Sequence, residues 1–342
     1  MKQLLACFDL EGPLSPQDNA YEVMSLAKNG RRLFEILSGY DDVLALENRQ
    51  GYEAGDTLSL IVPFLLLHNI KKEDIVKVSN TAKIVSGAAH LMSMLMADGW
   101  KVCIISTSYE QHAYSIGAKL GVPKANIFCT KLELRRGISE KLRDVIKKAE
   151  KDVLGTRDEE KIVERLDKFY YGELPDLGYN VFEKVRVVGG SRKTEAMLQA
   201  AEMNKVPLDR VMAVGDSITD FKMLDKVREC GGLAVAFNAN AYAIPHASVA
   251  LATTDMRFLY VLADAFARGG RETALQTAEK WERATGSTPT STLARRETTA
   301  GSTPTPFCIH NLEGASEGKI DKVVDIHKKF RKLVRGEAAK LG

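Results

Sequence analysis

Short apolar runs rich in β-branched residues, each closed by a turn signal, recur along the chain at residues 4–8, 102–105, 185–188, 211–214 and 233–237, with a weaker run at 249–251. Runs of this length and composition read as buried strands. Between them the apolar positions fall three and four residues apart, which predicts helices over 88–97, 112–120, 194–203, 221–227 and 258–267. Strands alternating with helices predict an α/β protein, a Rossmann-like parallel sheet with helices on both faces. Ligands of such sheets gather at the carboxyl ends of the strands, so the residues that follow each strand carry the most information.

Three stretches break the alternation. Residues 15–85 show only helical patterns after the first strand, far too long for an ordinary connection. Residues 134–182 hold a charged helical pair and then a turn-rich segment, read as a helical insertion within the core. The expected core is therefore 1–14 with 86–270, followed by a tail over 271–342. Within that tail, 285–306 is a Ser/Thr/Pro-rich linker in which GSTPT occurs twice. The chain closes with an amphipathic helix whose stripe is Ile320, Val323, Val324, His327, Phe330 and Val334, with Lys328, Lys329, Arg331, Lys332 and Arg335 largely around it. An apolar stripe of this kind must be covered, and docking on the protein itself is the expectation. The tail is expected to stand apart from the chemistry, so that truncation near Gly270 leaves activity intact.

Composition narrows the class. The 342 residues are 45% hydrophobic and 27% charged, which excludes wholesale disorder. A net charge of +3, its excess lying in 271–342, leaves no basic field for nucleic acid. Five scattered cysteines without a CxxC pair read as reduced thiols in an intracellular chain. The opening MKQLLACFDL lacks a secretory pattern, and the apolar stretch 58–67 is about half a membrane span. The expectation is a cytoplasmic protein that binds neither nucleic acid nor membrane; a homo-oligomer is left open.

The chemistry lies at the predicted strand ends. The first delivers Asp9-Leu10-Glu11-Gly12-Pro13, two acids with a bend after them. The second ends in Ser106-Thr107-Ser108, hydroxyls and amides that lead into a helix as a phosphate cradle does. Lys193 opens a helix after Gly189-Gly190-Ser191-Arg192, and Gly215-Asp216-Ser217-Ile218-Thr219-Asp220 sets two acids four residues apart at a strand-to-helix turn. Asp216 and Asp220 could simply cap that helix. The order of all four motifs on one side of one sheet argues for a carboxylate nucleophile with an acidic metal site, whose hard oxygens suit Mg²⁺.

In FDLEG, IISTS, RKTEAM and VGDSITD, over residues 1 to about 270, the chain resembles the haloacid dehalogenase superfamily of aspartate-nucleophile phosphatases. The helical stretch 15–85 is placed like the cap of the phosphoserine phosphatase branch, and GLAVAFNAN follows the fourth motif as it does there. The resemblance implies Asp9 as nucleophile, Glu11 as general acid and base, and Ser106, Thr107 and Lys193 on the phosphoryl oxygens. It implies Mg²⁺ held by Asp9, the backbone carbonyl of Glu11 and Asp216, with Asp220 in support. Asp18 falls where those enzymes keep an acid for the substrate amine. There are departures: Glu11 stands where most relatives have Asp, and Ser217-Ile218-Thr219 lacks the usual Asn. Leu58-Ser59-Leu60-Ile61-Val62 replaces an Arg for the substrate carboxylate, which argues against phosphoserine; the run is read as cap packing. The implied function is Mg²⁺-dependent hydrolysis of a small phosphorylated metabolite through an aspartyl-phosphate. The alternatives are phosphoryl transfer to an alcohol, of the phosphoserine–homoserine type, and a non-catalytic binding module.

Overall fold

The computed structural model describes residues 3–47, 49–134, 137–285 and 307–340. Seven strands form one sheet: β1 (Leu5–Phe8), β2 (Lys101–Tyr109), β3 (Ile127–Thr130), β4 (Val211–Gly215), β5 (Leu233–Phe237), β6 (Val249–Thr253) and β7 (Phe307–Asn311). Their order is β3-β2-β1-β4-β5-β6-β7. All neighbours are parallel except β6 and β7. The chain is α/β with a Rossmann-like sheet, as the alternation predicts.

Strand periodicity explains the layering. Leu4, Ala6 and Phe8 point to one face and join a core with the helix Ala88–Ala97 and the helical residues Leu259, Leu262 and Phe266. Leu5 and Cys7 point to the other and pack with Met197 and Ala200 of the helix Ser191–Asn204 and with Leu224 of the helix Phe221–Glu229. Burial on both faces is why these strands read as continuous apolar runs. Because β1 lies between β2 and β4, Asp9 leaves the sheet centre flanked by the ends of both.

The 185–188 run is not a strand. Val185 and Val187 are buried and Val188 lies on the opposite side, so the alternation is real. The segment lies beyond edge strand β3 without a ladder, and its Val188 amide donates to the Thr130 hydroxyl at 3.1 Å rather than to a backbone carbonyl. The true edge strands are β3, IFCT, and β7, FCIHN, where the polar Thr130, His310 and Asn311 break the apolar run.

Two boundaries move. The 134–182 stretch does not decorate the core: Ile146, Leu166, Phe169 and Tyr170 share one hydrophobic cluster with Leu33, Leu37, Phe64 and Leu65 of the 15–85 unit. Phe64 and Phe169 stand 5.8 Å apart, Tyr170 donates to the Leu60 carbonyl, and Arg49 pairs with Asp167 at 2.8 Å. Cap and insertion thus form one helical body around a shared apolar core.

Nor is the 271–342 stretch a tail. The helix Leu259–Thr285 runs through the expected boundary, kinked at Gly269 and Gly270, with Ala274 and Ala278 in the same core as Phe266. Next, β7 pairs antiparallel with β6 and covers its edge. The C-terminal helix, Glu317–Arg335, then buries Val323 and Val324 against Ala234, Ala236 and Ala250 on the opposite face. Apart from Thr285, the linker 285–306 lies outside the described residues. Among the described residues no helix is long and apolar enough to cross a membrane.

Candidate active site

The strand ends converge as the motif order requires. Asp9, 3% exposed, follows β1 and donates its amide to Val214 of β4 at 2.8 Å. Lys193, fully buried in the first turn of its helix, reaches Asp9 Oδ1 at 2.8 Å and Asp220 Oδ1 at 2.6 Å. The other oxygen of Asp220 accepts the amides of Asp216 and Ser217 at 2.9 and 3.0 Å, closing the turn after β4. The Asp220 carboxylate does not cap its own helix: its lone pairs serve the preceding turn and Lys193, which suits it to support the site.

Asp9, Asp216 and Asp220 form the candidate metal group among the described residues, each offering a carboxylate oxygen within 4.8 Å of the others. Asp216 Oδ1 is buried and has no hydrogen-bond partner. Gly12 is what lets the chain pass this carboxylate: its φ is +111°, and a Cβ there would come within 2.2 Å of Asp216 Oδ2. Hard, converging oxygens with one orphaned acceptor fit a small divalent cation such as Mg²⁺.

Burial sets the protonation states. Asp9 is pushed up by desolvation and by the charge of Asp220, against the pull of Lys193. Burial opposes the charge on Lys193, but Asp220 and Asp9 together hold it above the ordinary lysine range. Glu11 is raised to about 7 by desolvation first and by Asp18 second. Its Oε1 accepts the Asn19 amide at 2.9 Å, with His112 Nε2 at 3.9 Å. Burial lowers His112 to about 3, so it is a neutral imidazole, and both of its nitrogens lack hydrogen-bond partners.

The other predicted residues are placed as follows. Ser106 is fully buried near the end of β2, where Ile104 pairs with Phe8; its hydroxyl accepts the Ser108 amide at 3.0 Å. Thr107 lines the cleft with Asp9 and Glu11. The β2 strand runs on to Tyr109, so Ser106-Thr107-Ser108 belongs to its irregular end, and the helix opens at Glu110. Asp18 also lines the cleft, but its carboxylate caps the helix Asn19–Met24 by accepting the Tyr21 amide at 2.8 Å. Leu60, Ile61 and Val62 are buried in the cap core, the packing role expected of that run, and Leu58 reaches the cleft wall.

The cap closes over this floor. Glu53 accepts the amide and hydroxyl of Ser191 and pairs with Lys222 at 2.8 Å, while Asp56 takes Arg192 at 2.5 Å. Gly190, at φ +52°, permits the approach, since a Cβ there would lie 2.1 Å from Glu53 Oε2. The cleft left between cap and floor is about 70 Å³.

Sequence reasoning missed the cap acids, His112 and, above all, two arginines. Arg331 and Arg335 come from the C-terminal helix and both contact Asp216 Oδ2, the latter at 3.0 Å. The signal was present: His327, Arg331 and Arg335 are spaced by four and therefore share a helix face. His327 is buried and accepts the Ala239 amide at 2.9 Å, so that face points at the sheet. Placing the arginines around the apolar stripe, rather than on its face with His327, hid this.

No family model and no curated relative matches the sequence. Among solved structures, a gene product of Archaeoglobus fulgidus superposes with a TM-score of 0.81 at 28% identity, over 100% of this chain and 99% of its own. An apo phosphoserine phosphatase aligns with 76% of this chain and 98% of its own, at 16% identity and a TM-score of 0.51. A phospho-aspartyl intermediate analogue of phosphoserine phosphatase gives 18%, 0.50 and the same coverage. At these identities the likeness to the phosphoserine phosphatases speaks for the fold. This chain shares the fold of the phosphoserine phosphatases.

Proposed function

We propose that the protein is a Mg²⁺-dependent phosphomonoesterase in which Asp9 is the nucleophile and Glu11 the general acid and base. The observation that carries this reading is the pairing of Asp9 Oδ1 with the buried Lys193 at 2.8 Å, beside two further buried carboxylates. One carboxylate is thereby aimed and charge-compensated where a phosphoryl group would meet it.

In the first half-reaction a bond forms from Asp9 to phosphorus while the bond to the leaving oxygen breaks. Glu11, raised to about 7, keeps a share of its protons at neutrality and can supply the proton that oxygen needs. In the second, Glu11 takes a proton from the water that attacks phosphorus, and Asp9 is released as a carboxylate. Lys193 faces the charge that develops on the phosphoryl oxygens, and Ser106 and Thr107 stand at the neighbouring strand end as the remaining candidates to hold it. Asp9, Asp216 and the backbone carbonyl of Glu11 would hold Mg²⁺, which when bound offsets the repulsion between an anionic nucleophile and an anionic phosphate. Asp18 is the candidate contact to the leaving group.

Fold neighbours named as phosphoserine phosphatases support the reaction class. They do not extend to the substrate, because the 58–62 run is cap core and supplies no cation for a carboxylate. A cleft this confined favours a small phosphomonoester over a bulky one. Turnover of p-nitrophenyl phosphate with and without Mg²⁺, followed by a panel of phosphorylated metabolites, tests the proposal. Absence of Mg²⁺-dependent phosphate release from every compound would remove it.

A further inference from the structure

Three carboxylates and three cations meet at this site. Asp9, Asp216 and Asp220 face Lys193, Arg331 and Arg335, every one of these side chains 5% exposed or less. The two arginines are held firmly. Arg331 also donates to the Asp216 backbone carbonyl at 3.2 Å and to the Ala339 carbonyl at 3.2 Å, and Arg335 donates to the Pro16 carbonyl at 3.3 Å. Both act on Asp216 Oδ2, while Oδ1 has no partner. The arginines thus occupy one oxygen of the candidate metal ligand and leave the other for a cation.

We infer that Arg331 and Arg335 are positioning residues that make metal and phosphate binding interdependent, so that Mg²⁺ and a phosphate dianion enter the site as a neutral pair. The inference rests on the proposed function. In formal charge these six side chains cancel before any ligand arrives, and the other acids along the cleft, Glu11, Asp18, Asp41 and Asp42, are each pushed by burial toward their neutral forms. A divalent cation alone would leave two uncompensated positive charges in a buried site, and a dianion alone two negative ones; each is costly there. Bound together they cancel. An acidic centre with Lys193 as its sole cation would instead take up the metal by itself. The coupling is reciprocal by linkage, so phosphate tightens metal binding by the same factor that metal tightens phosphate binding.

Calorimetric titration of the full-length chain with Mg²⁺, with and without millimolar inorganic phosphate, reads this directly. The wild type should bind Mg²⁺ on the order of tenfold or more tightly when phosphate is present. Arg335→Gln should bind Mg²⁺ alone more tightly than the wild type and lose most of the gain from phosphate. Arg335→Lys, which keeps the charge, should retain the wild-type pattern. Arg331→Gln should behave as Arg335→Gln does; thermal unfolding establishes that each variant is folded, and Arg335, at the helix end, is the safer site. Arg335→Gln that binds Mg²⁺ alone no more tightly, or keeps its full response to phosphate, overturns the inference and leaves the phosphatase reading standing. A folded wild type that takes up no Mg²⁺ even with phosphate overturns both.

Discussion

Asp9 and Glu11 are two residues apart, yet their surroundings differ. Asp9 sits against Lys193 and two other acids, whereas Glu11 faces Asn19, Asp18 and a neutral His112. The first arrangement aims a carboxylate, and the second keeps a proton on one. Asp9→Asn should therefore abolish turnover while the protein still unfolds cooperatively near the wild-type temperature; circular dichroism melting and phosphate release check the two halves. Glu11→Gln should lose about 10²–10⁴-fold on alkyl phosphates, the usual worth of a positioned acid. On p-nitrophenyl phosphate, whose leaving group needs little help, the loss should be far smaller. Equal losses on both substrates would make Glu11 a structural residue.

At the scale of elements, the sequence shows the strands that are buried on both faces and hides those at the edges. β1, β2, β4 and β5 are read from composition because central parallel strands have no polar face to blur the signal. The 185–188 run fails for the converse reason: alternating burial occurs in any extended segment packed on two sides, and only a backbone partner makes it a strand. The motifs at the strand ends are legible because each needs a turn and a functional residue at once. The cap loop is not, since Glu53 and Asp56 look like ordinary surface acids until Ser191, Lys222 and Arg192 meet them. Asp41 ties that loop to the helix Gly30–Leu46 by accepting Tyr52 Oη at 2.6 Å and the Thr57 amide at 3.2 Å. Burial raises it to about 7, above its unfolded value near 4. The folded state therefore holds an extra proton between those values, and stability falls as pH rises through this window, flattening above about 7. Relative to Asp41→Asn, the wild type should lose on the order of a few kcal/mol between about pH 4 and about pH 7. Denaturant unfolding at several pH values tests this, and parallel curves for the two proteins would refute it.

For the molecule as a whole, the C-terminal segment is the main revision. A linker-like composition and a basic amphipathic helix read as an appendage, but β7 completes the sheet and the helix carries Arg331 and Arg335 to Asp216. Nothing local in the sequence announces a partner 115 residues away. Truncation near Gly270 should therefore uncover the edge of β6, expose the Ala234 and Ala250 face, and cost both folding and activity rather than leave the chemistry intact. Expression yield, unfolding temperature and p-nitrophenyl phosphate turnover of the truncated chain check this; a stable, fully active product would restore the simpler division.

The central claim is that phosphate leaves its ester by way of Asp9. Acid-quenching the protein during incubation with a ³²P-labelled phosphomonoester and Mg²⁺, followed by peptide mapping, tests it most directly. The expected result is acid-stable, hydroxylamine-labile label on the peptide containing Asp9, absent from Asp9→Asn. Sustained phosphate release with no label on that peptide, or undiminished release by a verified Asp9→Asn protein, would contradict the account.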